Sequence, residues 1–254
     1  QIRAAFRFAP EDRICGWLPH YHDMGLIGGI LTPVHLGIPN VMMSPAAFLR
    51  DPIRYLELAG EVGATVLGGP NFGFEHCLRH ATPEALARVD LSRLRFAFCG
   101  AEAIRPDTLR RFGAAFAPCG FRAEHWAGCY GLAEATLCVA VVPPGEGPRV
   151  IAVEAAALAR DEIVPVAAAG AAAESGGLAE LADSGVPVEG LELAIVDPVT
   201  LRPCPPDRVG EIWLRGPNVA RGYWRRTAPE IFAAHLAGEG GAPEAAAGRA
   251  AGAD

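Results

Sequence analysis

Lysine does not occur in this sequence of 254 residues, and all 22 basic residues are arginine. A chain without lysine cannot form a Schiff base, and it has no lysine ammonium group to clamp a phosphate or act as a general base. Any mechanism proposed for the chain must do without such a group or take it from elsewhere.

Paired cysteines and a basic surface are also missing. The seven cysteines are an odd number and form no C-x-x-C pair, so they indicate buried, reduced thiols rather than a disulfide framework or a zinc knuckle. The net charge is -7, and the arginines are adjacent only at Arg110-Arg111 and Arg225-Arg226. This distribution offers no basic stripe for a phosphate backbone and excludes nucleic-acid binding.

Long hydrophobic runs are absent as well. The longest, such as Leu137 to Val142, are too short to cross a bilayer, and residues 1–13 have no charged segment followed by an apolar one and a cleavage site. Half of the chain is apolar while only 7% is aromatic, which is typical of a soluble globular protein with a buried core. We therefore predict one large domain or two small ones and a cytoplasmic location.

The first informative segment lies near the start of the chain. Ile14 to Pro19 reads as a buried strand that leads into a loop, His20-Tyr-His-Asp23, ahead of the glycine-rich stretch from Met24 to Leu31. The two histidines and the aspartate allow a metal site, but no further clustered ligand is visible. A histidine that lines a cleft is the favoured interpretation.

Strands and helices then alternate at the spacing of βαβ units. A helix opens at Asp51-Pro52 with an N-cap carboxylate and a proline in the first turn. The elements predicted after it are a strand at residues 64–67 ending in Gly68-Gly-Pro-Asn71, a helix that carries Phe74, Cys77 and Leu78, a strand at 94–99, a helix at 106–116 and a strand at 121–129. This pattern predicts an α/β fold with a mainly parallel sheet, whose ligands bind beyond the carboxyl ends of the strands.

Two loops follow predicted strand ends and carry suitable chemistry. Gly100 to Glu102 follows one strand, and Tyr130 to Glu134 follows another. An aromatic ring in such a position can stack on a planar base, and a carboxylate can hold a metal ion or a proton. We expect both loops to face the same crevice.

The composition changes after Val142. A cluster of proline and glycine at 143–148 and an alanine- and glycine-rich stretch at 154–183 indicate an insertion that is loosely packed or partly mobile. The strand pattern that returns at residues 191–196 and 209–214 predicts a small antiparallel barrel or meander. The predicted ranges are an α/β core at 1–142, the insertion at 143–184, a small β subdomain at 185–235 and a disordered tail at 236–254.

These segments together resemble the adenylate-forming superfamily, and within it the fatty acyl-AMP ligases. The motifs that carry the resemblance are, in family order, Trp17-Leu-Pro-His-Tyr-His-Asp-Met-Gly-Leu-Ile27, Gly68-Gly-Pro-Asn-Phe72, Cys99-Gly-Ala-Glu102, Cys129-Tyr-Gly-Leu-Ala-Glu-Ala-Thr136, and Gly210-Glu-Ile-Trp-Leu-Arg-Gly216 with Val219-Ala-Arg-Gly-Tyr-Trp224. The match is specific because the motifs recur together and in order.

The resemblance implies an activity and its site residues. Enzymes of this family let a carboxylate attack the α-phosphate of ATP, which yields an acyl-adenylate and pyrophosphate. By resemblance, the nucleotide would be bound by Gly100, Ala101, Glu102, Tyr130, Gly131, Leu132 and Ala133, with Tyr130 against the adenine, and Glu134 would hold Mg²⁺. The fatty acid would be bound by His22, Asp23, Gly69, Pro70 and Asn71, with His22 at the mouth of the acyl tunnel.

Two features favour the fatty acyl-AMP ligase branch. The wider superfamily usually has threonine where this chain has Ala133, and the stretch from about 143 to 183 falls where that branch carries an insertion. The branch implies that the acyl group passes to the phosphopantetheine arm of an acyl carrier protein, often feeding a polyketide synthase, rather than to coenzyme A.

The sequence also departs from the family pattern. The phosphate loop expected before residue 1, the ribose-binding aspartate expected after 235 and the lysine of the C-terminal domain are all missing. We therefore expect a central portion of a larger enzyme that binds nucleotide poorly and does not turn over alone. Two alternatives stay open: an acyl-coenzyme A ligase or amino-acid adenylation domain, and a non-catalytic domain that only binds a partner.

Overall fold

The computed structural model describes residues 1–166, 177–226, 228–238 and 247–249. The predictions made for residues 167–176 of the insertion, and for 239–246 and 250–254 of the tail, lie outside these ranges. The residues with described positions form two compact units, which are treated separately below.

The described strands and helices are as follows. In chain order the strands are β1 Ile14–Gly16, β2 Asn40–Met42, β3 Val66–Gly69, β4 Phe96–Cys99, β5 Trp126–Leu132, β6 Leu137–Val141, β7 Val150–Glu154, β8 Leu178–Ala182, β9 Val186–Pro187, β10 Glu192–Val196, β11 Glu211–Arg215 and β12 Ala247–Arg249. The α-helices are α1 Ile2–Ala5, α2 Thr32–Leu36, α3 Pro45–Arg50, α4 Pro52–Glu61, α5 Asn71–Arg79, α6 Pro83–Leu86, α7 Pro106–Phe116, α8 Ala155–Leu158 and α9 Pro229–Phe232. A π-helix covers Met24–Leu31, and 3₁₀ turns cover Ala117–Cys119, Ala123–His125 and Ala133–Ala135.

The first unit comprises residues 1–131, 137–149 and 182–188. Its centre is a seven-stranded sheet in the order β2-β1-β3-β4-β5-β6-β9. The pairs β1–β2, β1–β3, β3–β4 and β4–β5 are parallel, and β6–β9 is antiparallel. The predicted α/β fold with a mainly parallel sheet is therefore confirmed.

Helices α4 and α7 form where the sequence predicts them. The Asp51 side chain accepts a hydrogen bond from the Arg54 amide at 3.2 Å and caps α4, and Pro52, the first residue of this helix, has a φ angle that its ring fixes near the helical value. Helix α7 spans the predicted residues and buries Leu109, Phe112 and Phe116 on one face. Because these residues recur at helical spacing, that face packs into the core.

The strand boundaries differ from the prediction in one place that matters for the site. Residues 123–125 form a 3₁₀ turn, so β5 begins at Trp126 and continues to Leu132. Tyr130 and Gly131 consequently lie in the last part of the strand rather than in the loop that follows it. Met24–Leu31, for which no element was predicted, is the π-helix.

Aromatic side chains fill the core of the first unit. Phe74, Phe112 and Phe121 contact Trp126 with ring centroids 4.6 to 5.5 Å apart. Edge-to-face packing of this kind adds to the hydrophobic gain from burial. This cluster fixes the start of β5, and through it the position of the strand that carries Tyr130.

The second unit comprises residues 132–136, 150–181 and 189–254. Strands β10 and β11 pair antiparallel from Glu192↔Arg215 to Val196↔Glu211, and β12 pairs antiparallel with β11. Strands β7 and β8, which were not predicted, form a separate two-stranded sheet. The expectation of short antiparallel strands near residues 191 and 209 is confirmed.

No helix within the described ranges is long and apolar enough to cross a membrane.

Candidate functional site

Neighbouring strands bring the predicted loops of the first unit to one edge of the sheet. In the β3–β4 pair Gly69 is opposite Cys99, and in the β4–β5 pair Cys99 is opposite Gly128. The segments that begin at Pro70 and Gly100 therefore leave the sheet at the level where β4 stops pairing with β5, and β5 itself continues to Leu132. Parallel strands place their carboxyl ends on one edge, so these segments start from the same edge, and the crevice expected between Gly100 to Glu102 and Tyr130 to Glu134 stays a prediction.

The chain after β4 approaches the chain after β5 so closely that a side chain at position 100 does not fit. A Cβ on Gly100 would lie 2.5 Å from the carbonyl oxygen of Cys129 and 2.7 Å from its Sγ atom. The next residue, Ala101, has a φ of 67°, in the left-handed region that residues with a side chain rarely occupy. A strained, glycine-dependent turn of this kind is common at binding sites.

Glu102 ties this turn to the loop after β3. Its Oε1 atom accepts a hydrogen bond of 2.5 Å from the backbone amide of Phe72, in the first turn of α5. A carboxylate is stabilised there because the first amides of a helix lack partners in the helix itself. Glu102 thus holds two of the predicted loops together through its side chain.

Asn71 has a supporting role in the structure. Its side chain is buried, and its Nδ2 donates to Thr108 Oγ1 at 3.2 Å while its Oδ1 accepts from the Arg105 amide at 3.0 Å. Thr108 Oγ1 in turn donates to Glu75 Oε1 at 2.6 Å. The predicted acyl-binding role of this residue stays a prediction, whereas its hydrogen bonds join the first turns of α5 and α7.

Replacing Asn71 with alanine should therefore lower the free energy of unfolding by about 1 to 2 kcal/mol, because the buried Thr108 hydroxyl and Arg105 amide lose their partner. Urea denaturation of Asn71→Ala, Thr108→Val and the double variant measures this. The double variant should cost less than the sum of the single variants. Strictly additive losses would mean that the two side chains do not interact.

His22 and Asp23 form a pair ahead of the π-helix. His22 Nδ1 lies 2.7 Å from Asp23 Oδ1, and the same carboxylate oxygen accepts from the Met24 amide at 2.7 Å. The Met24 amide also lies 3.1 Å from His22 Nδ1, but because two acceptors do not approach to 2.7 Å, we assign the proton to Nδ1 and the Met24 amide to Asp23. The exposed imidazole then has its Nε2 atom available for another group.

Gly69 and Pro70 lie beside an indole ring. Trp17 is buried and stacks on Phe48 with centroids 3.8 Å apart and planes inclined by 9°. A Cβ on Gly69 would lie 3.0 Å from Cζ2 of this indole. Together with Pro70 these side chains line a small apolar cavity beneath the end of β3.

Gly131 is the most tightly constrained of the predicted nucleotide-binding residues. A Cβ there would lie 1.9 Å from the carbonyl oxygen of Leu137, in the neighbouring β6. Tyr130, directly before it in β5, is partly buried. Only glycine allows β5 to keep Tyr130 in this register.

Glu134 belongs to the second unit, in the 3₁₀ turn Ala133–Ala135 that follows Leu132. Its carboxylate accepts a hydrogen bond from the hydroxyl of Tyr223, and its backbone carbonyl accepts from the Ala220 amide at 2.6 Å. Tyr223 lies in one of the motifs that carry the family resemblance, but the sequence predicts no role for it. Sequence spacing gives no signal for a contact across 89 residues.

Metal clusters and disulfides are not found in the parts of the chain that the structure describes. No group of three His, Cys, Asp or Glu side chains could hold a metal ion there, so the histidine-rich loop provides no such cluster. All seven cysteines lie within these parts and are free. Burial raises the pKa of Cys15 and Cys99 to about 12, which keeps these thiols protonated and unreactive.

Comparisons with known proteins give a consistent result. The model of the AMP-binding enzyme family matches residues 1–224. A medium-chain-fatty-acid–acyl-carrier-protein ligase, JamA of Moorena producens (strain JHB), is 42% identical over 244 residues, which are 95% of this chain and 41% of the relative. The chain thus spans about two fifths of the length of this relative.

Solved structures agree with that similarity. A fatty acid AMP ligase from Legionella pneumophila superposes with a TM-score of 0.89 at 37% identity, covering 98% of this chain and 42% of that one. A fatty acyl-adenylate ligase of the same organism, in complex with acyl adenylate and pyrophosphate, gives a TM-score of 0.87 at 38% identity with the same coverage. The resemblance to the fatty acyl-AMP ligases is confirmed.

Proposed function

Because this chain belongs to the AMP-binding enzyme family, we propose that it carries the acyl-adenylate site of an enzyme that activates a fatty acid with ATP. In the proposed reaction a carboxylate oxygen of the fatty acid bonds to the α-phosphorus, and the bond to pyrophosphate breaks. A thiol then attacks the acyl carbon and AMP leaves. The proposal is supported by the similarity to the ligases described above.

The observation that carries the proposal is the convergence of three glycine-containing segments on one edge of the parallel sheet. The segments after Gly69 and Cys99 leave neighbouring strands in register, and the last residues of β5 extend beyond them at the same edge. Gly100 and Gly131 stand where no Cβ fits. Such an edge is where open α/β sheets bind nucleotides, and glycine allows the backbone to approach the ligand.

In this proposal the nucleotide lies along Gly100, Ala101 and Glu102 and the end of β5. The ring of Tyr130 packs against the adenine, and backbone groups of residues 131–133 contact the rest of the nucleoside. The Glu102 carboxylate is held by the Phe72 amide. It therefore orders the base-binding loop rather than contacting the phosphates.

The fatty acid lies on the side of β1 and β3 in this proposal. Asp23 orients His22, whose outward Nε2 atom faces the carboxylate group of the fatty acid. Gly69 and Pro70 border the apolar wall formed with Trp17. Asn71 keeps the first turn of α5 in place through its bonds to α7.

Glu134 suits a magnesium ion bound together with ATP. Mg²⁺ is typically held by one or two carboxylates plus substrate phosphates rather than by a full protein cage. One oxygen of the Glu134 carboxylate is occupied by the Tyr223 hydroxyl, which leaves the other for a cation. The bound ion would offset the charge on the phosphates during adenylation.

We further propose an acyl carrier protein as acceptor, since the relative from Moorena producens is named for transfer to one. The same proposal includes a polyketide synthase as the next partner and a cytoplasmic location. It also includes a closed barrel for the antiparallel strands and the domain ranges 1–142, 143–184, 185–235 and 236–254. These statements extend the proposal from the site to the whole enzyme.

The reaction is tested by ATP–pyrophosphate exchange with the full-length protein. We expect exchange with medium- or long-chain fatty acids and none with amino acids, and acyl transfer to a phosphopantetheinylated carrier protein rather than to coenzyme A. Glu134→Gln and Tyr130→Ala should each reduce exchange at least about tenfold, because they remove a metal ligand and a base contact. Exchange with amino acids alone would favour an adenylation domain instead.

A second candidate function is that of a domain that binds a carrier protein without catalysing adenylation. Carrier binding by this chain that is unchanged in Glu134→Gln and Tyr130→Ala, together with no exchange by the full-length protein, would support a purely partner-binding role.

A further inference from the structure

The turn that carries Glu134 is short and needs outside support. Ala133–Ala135 is a single 3₁₀ turn, and Thr136 after it has a φ of 51°, in the left-handed region. A turn of three residues provides no helix face to pack a side chain against. The orientation of the Glu134 carboxylate therefore depends on contacts outside the turn.

One segment, residues 218–223, provides that support. The Ala220 amide donates to the Glu134 carbonyl at 2.6 Å. Asn218 contributes on both sides of the turn, because its Nδ2 donates to the Ala135 carbonyl at 2.8 Å and its carbonyl accepts from Thr136 Oγ1 at 2.8 Å. The turn is thus held through the backbone carbonyls of Glu134 and Ala135 and, directly after it, through the side-chain hydroxyl of Thr136.

The same segment reaches the carboxylate itself. The Tyr223 hydroxyl donates to Glu134 Oε1. The Tyr223 ring is held on two sides, edge-on to Phe232 at 5.1 Å and beneath the guanidinium of Arg226 at 5.7 Å. A ring held in this way gives its hydroxyl a fixed position, so it can orient the carboxylate.

We propose that Tyr223 is a positioning residue that holds one oxygen of Glu134 so that the other faces the metal–nucleotide complex. The inference rests on the proposed function of Glu134. Partners that orient a metal ligand in this way commonly change metal affinity or activity by about 10- to 100-fold when they are removed. Tyr223 itself contacts neither the metal ion nor the substrate.

The hydrogen bond can be measured without catalysis. Urea denaturation of Tyr223→Phe, Glu134→Gln and the double variant compares their free energies of unfolding. Because the Tyr223 hydroxyl donates to the Glu134 carboxylate, the double variant should lose less stability than the sum of the single variants. Strictly additive losses would contradict the contact and overturn the proposal.

The positioning role is measured by the Mg²⁺ dependence of ATP–pyrophosphate exchange in the full-length protein. Tyr223→Phe should raise the Mg²⁺ concentration at half-maximal exchange about 10-fold or more and leave the KM for the fatty acid unchanged. The matched control is Trp224→Phe, since this adjacent aromatic residue is 87% exposed. A general structural defect would raise the Mg²⁺ requirement in both variants, or would change the KM for the fatty acid together with the Mg²⁺ requirement.

The outcomes separate this inference from the function on which it rests. An active protein whose Mg²⁺ requirement is unaffected by Tyr223→Phe overturns the positioning role alone. A full-length protein that does not exchange pyrophosphate overturns the proposed function and the positioning role together.

Discussion

Gly131→Ala is expected to destabilise the protein by about 3 kcal/mol, at the upper end of what overpacking usually costs. The added Cβ would meet the Leu137 carbonyl oxygen at 1.9 Å, a distance that no side-chain rotation can relieve. Either β5 or β6 must move, and the shift begins next to Tyr130. Gly131→Ala should therefore lower the stability of the protein and also weaken the proposed contact between Tyr130 and the adenine.

The control is Gly113→Ala in α7. A Cβ at Gly113 meets no atom within 4 Å outside its own helix, and alanine is a better helix former than glycine. Urea denaturation should show Gly113→Ala as stable as the unchanged protein or slightly more stable. If Gly131→Ala were equally harmless, the close approach of the two strands would be refuted.

The stability of the protein should fall by up to about 3 kcal/mol between pH 7 and pH 4 because of His125, with about 2 kcal/mol of this lost by pH 5. This imidazole is buried directly before β5, its Nδ1 accepts from the Arg122 amide at 3.1 Å, and its Nε2 has no hydrogen-bond partner among the residues that the structure describes. Burial, followed by the charge of Arg122, lowers the pKa of His125 from 6.5 to about 4.

The direction of this pH dependence follows from the lowered pKa of His125. Below pH 6.5 the unfolded chain binds a proton at His125 while the folded protein does not, so protons favour unfolding. The contribution is fully present above pH 6.5 and is lost as the pH falls toward 4. The range from pH 7 to 5 lies above the ordinary pKa of carboxyl groups, and comparison with His125→Phe separates His125 from the other six histidines.

The measurement is urea denaturation at several pH values between 7 and 5 for the protein, His125→Phe and His35→Gln. His125→Phe should flatten the dependence on pH, because it removes the titrating group and keeps an aromatic ring against Phe121. The exposed His35 serves as the control and its variant should keep the full slope. Equal slopes in all three proteins would show that His125 is protonated as readily in the folded state.

Local signals in the sequence were sufficient for much of the first unit. The cap at Asp51, the proline at the start of α7 and the apolar spacing of Phe112 and Phe116 determine helices from neighbouring residues alone. The alternation of these helices with short apolar runs then predicted the parallel sheet. It also predicted that Gly100 to Glu102 and Tyr130 to Glu134 follow strand ends at one edge of the sheet.

Features that depend on distant residues could not be predicted from spacing. The extension of β5 through Tyr130 depends on its pairing with neighbouring strands, because the residues themselves read equally well as a loop. The bond from Asn71 to Thr108 and the bond from Tyr223 to Glu134 join residues that are 37 and 89 positions apart. Composition gave no information on contacts of this range.

The central claim is that the segments at this edge of the sheet bind an acyl-adenylate. A hydrolysis-resistant acyl-adenylate mimic tests it directly on this chain, because the mimic lacks the β- and γ-phosphates and so does not need the family's phosphate loop. The readout is amide hydrogen exchange with and without the mimic. The account predicts slower exchange at residues 100–102 and 130–133, together with 20–23 and 69–72. Binding that leaves these four segments unprotected, or no protection at any mimic concentration, would contradict it.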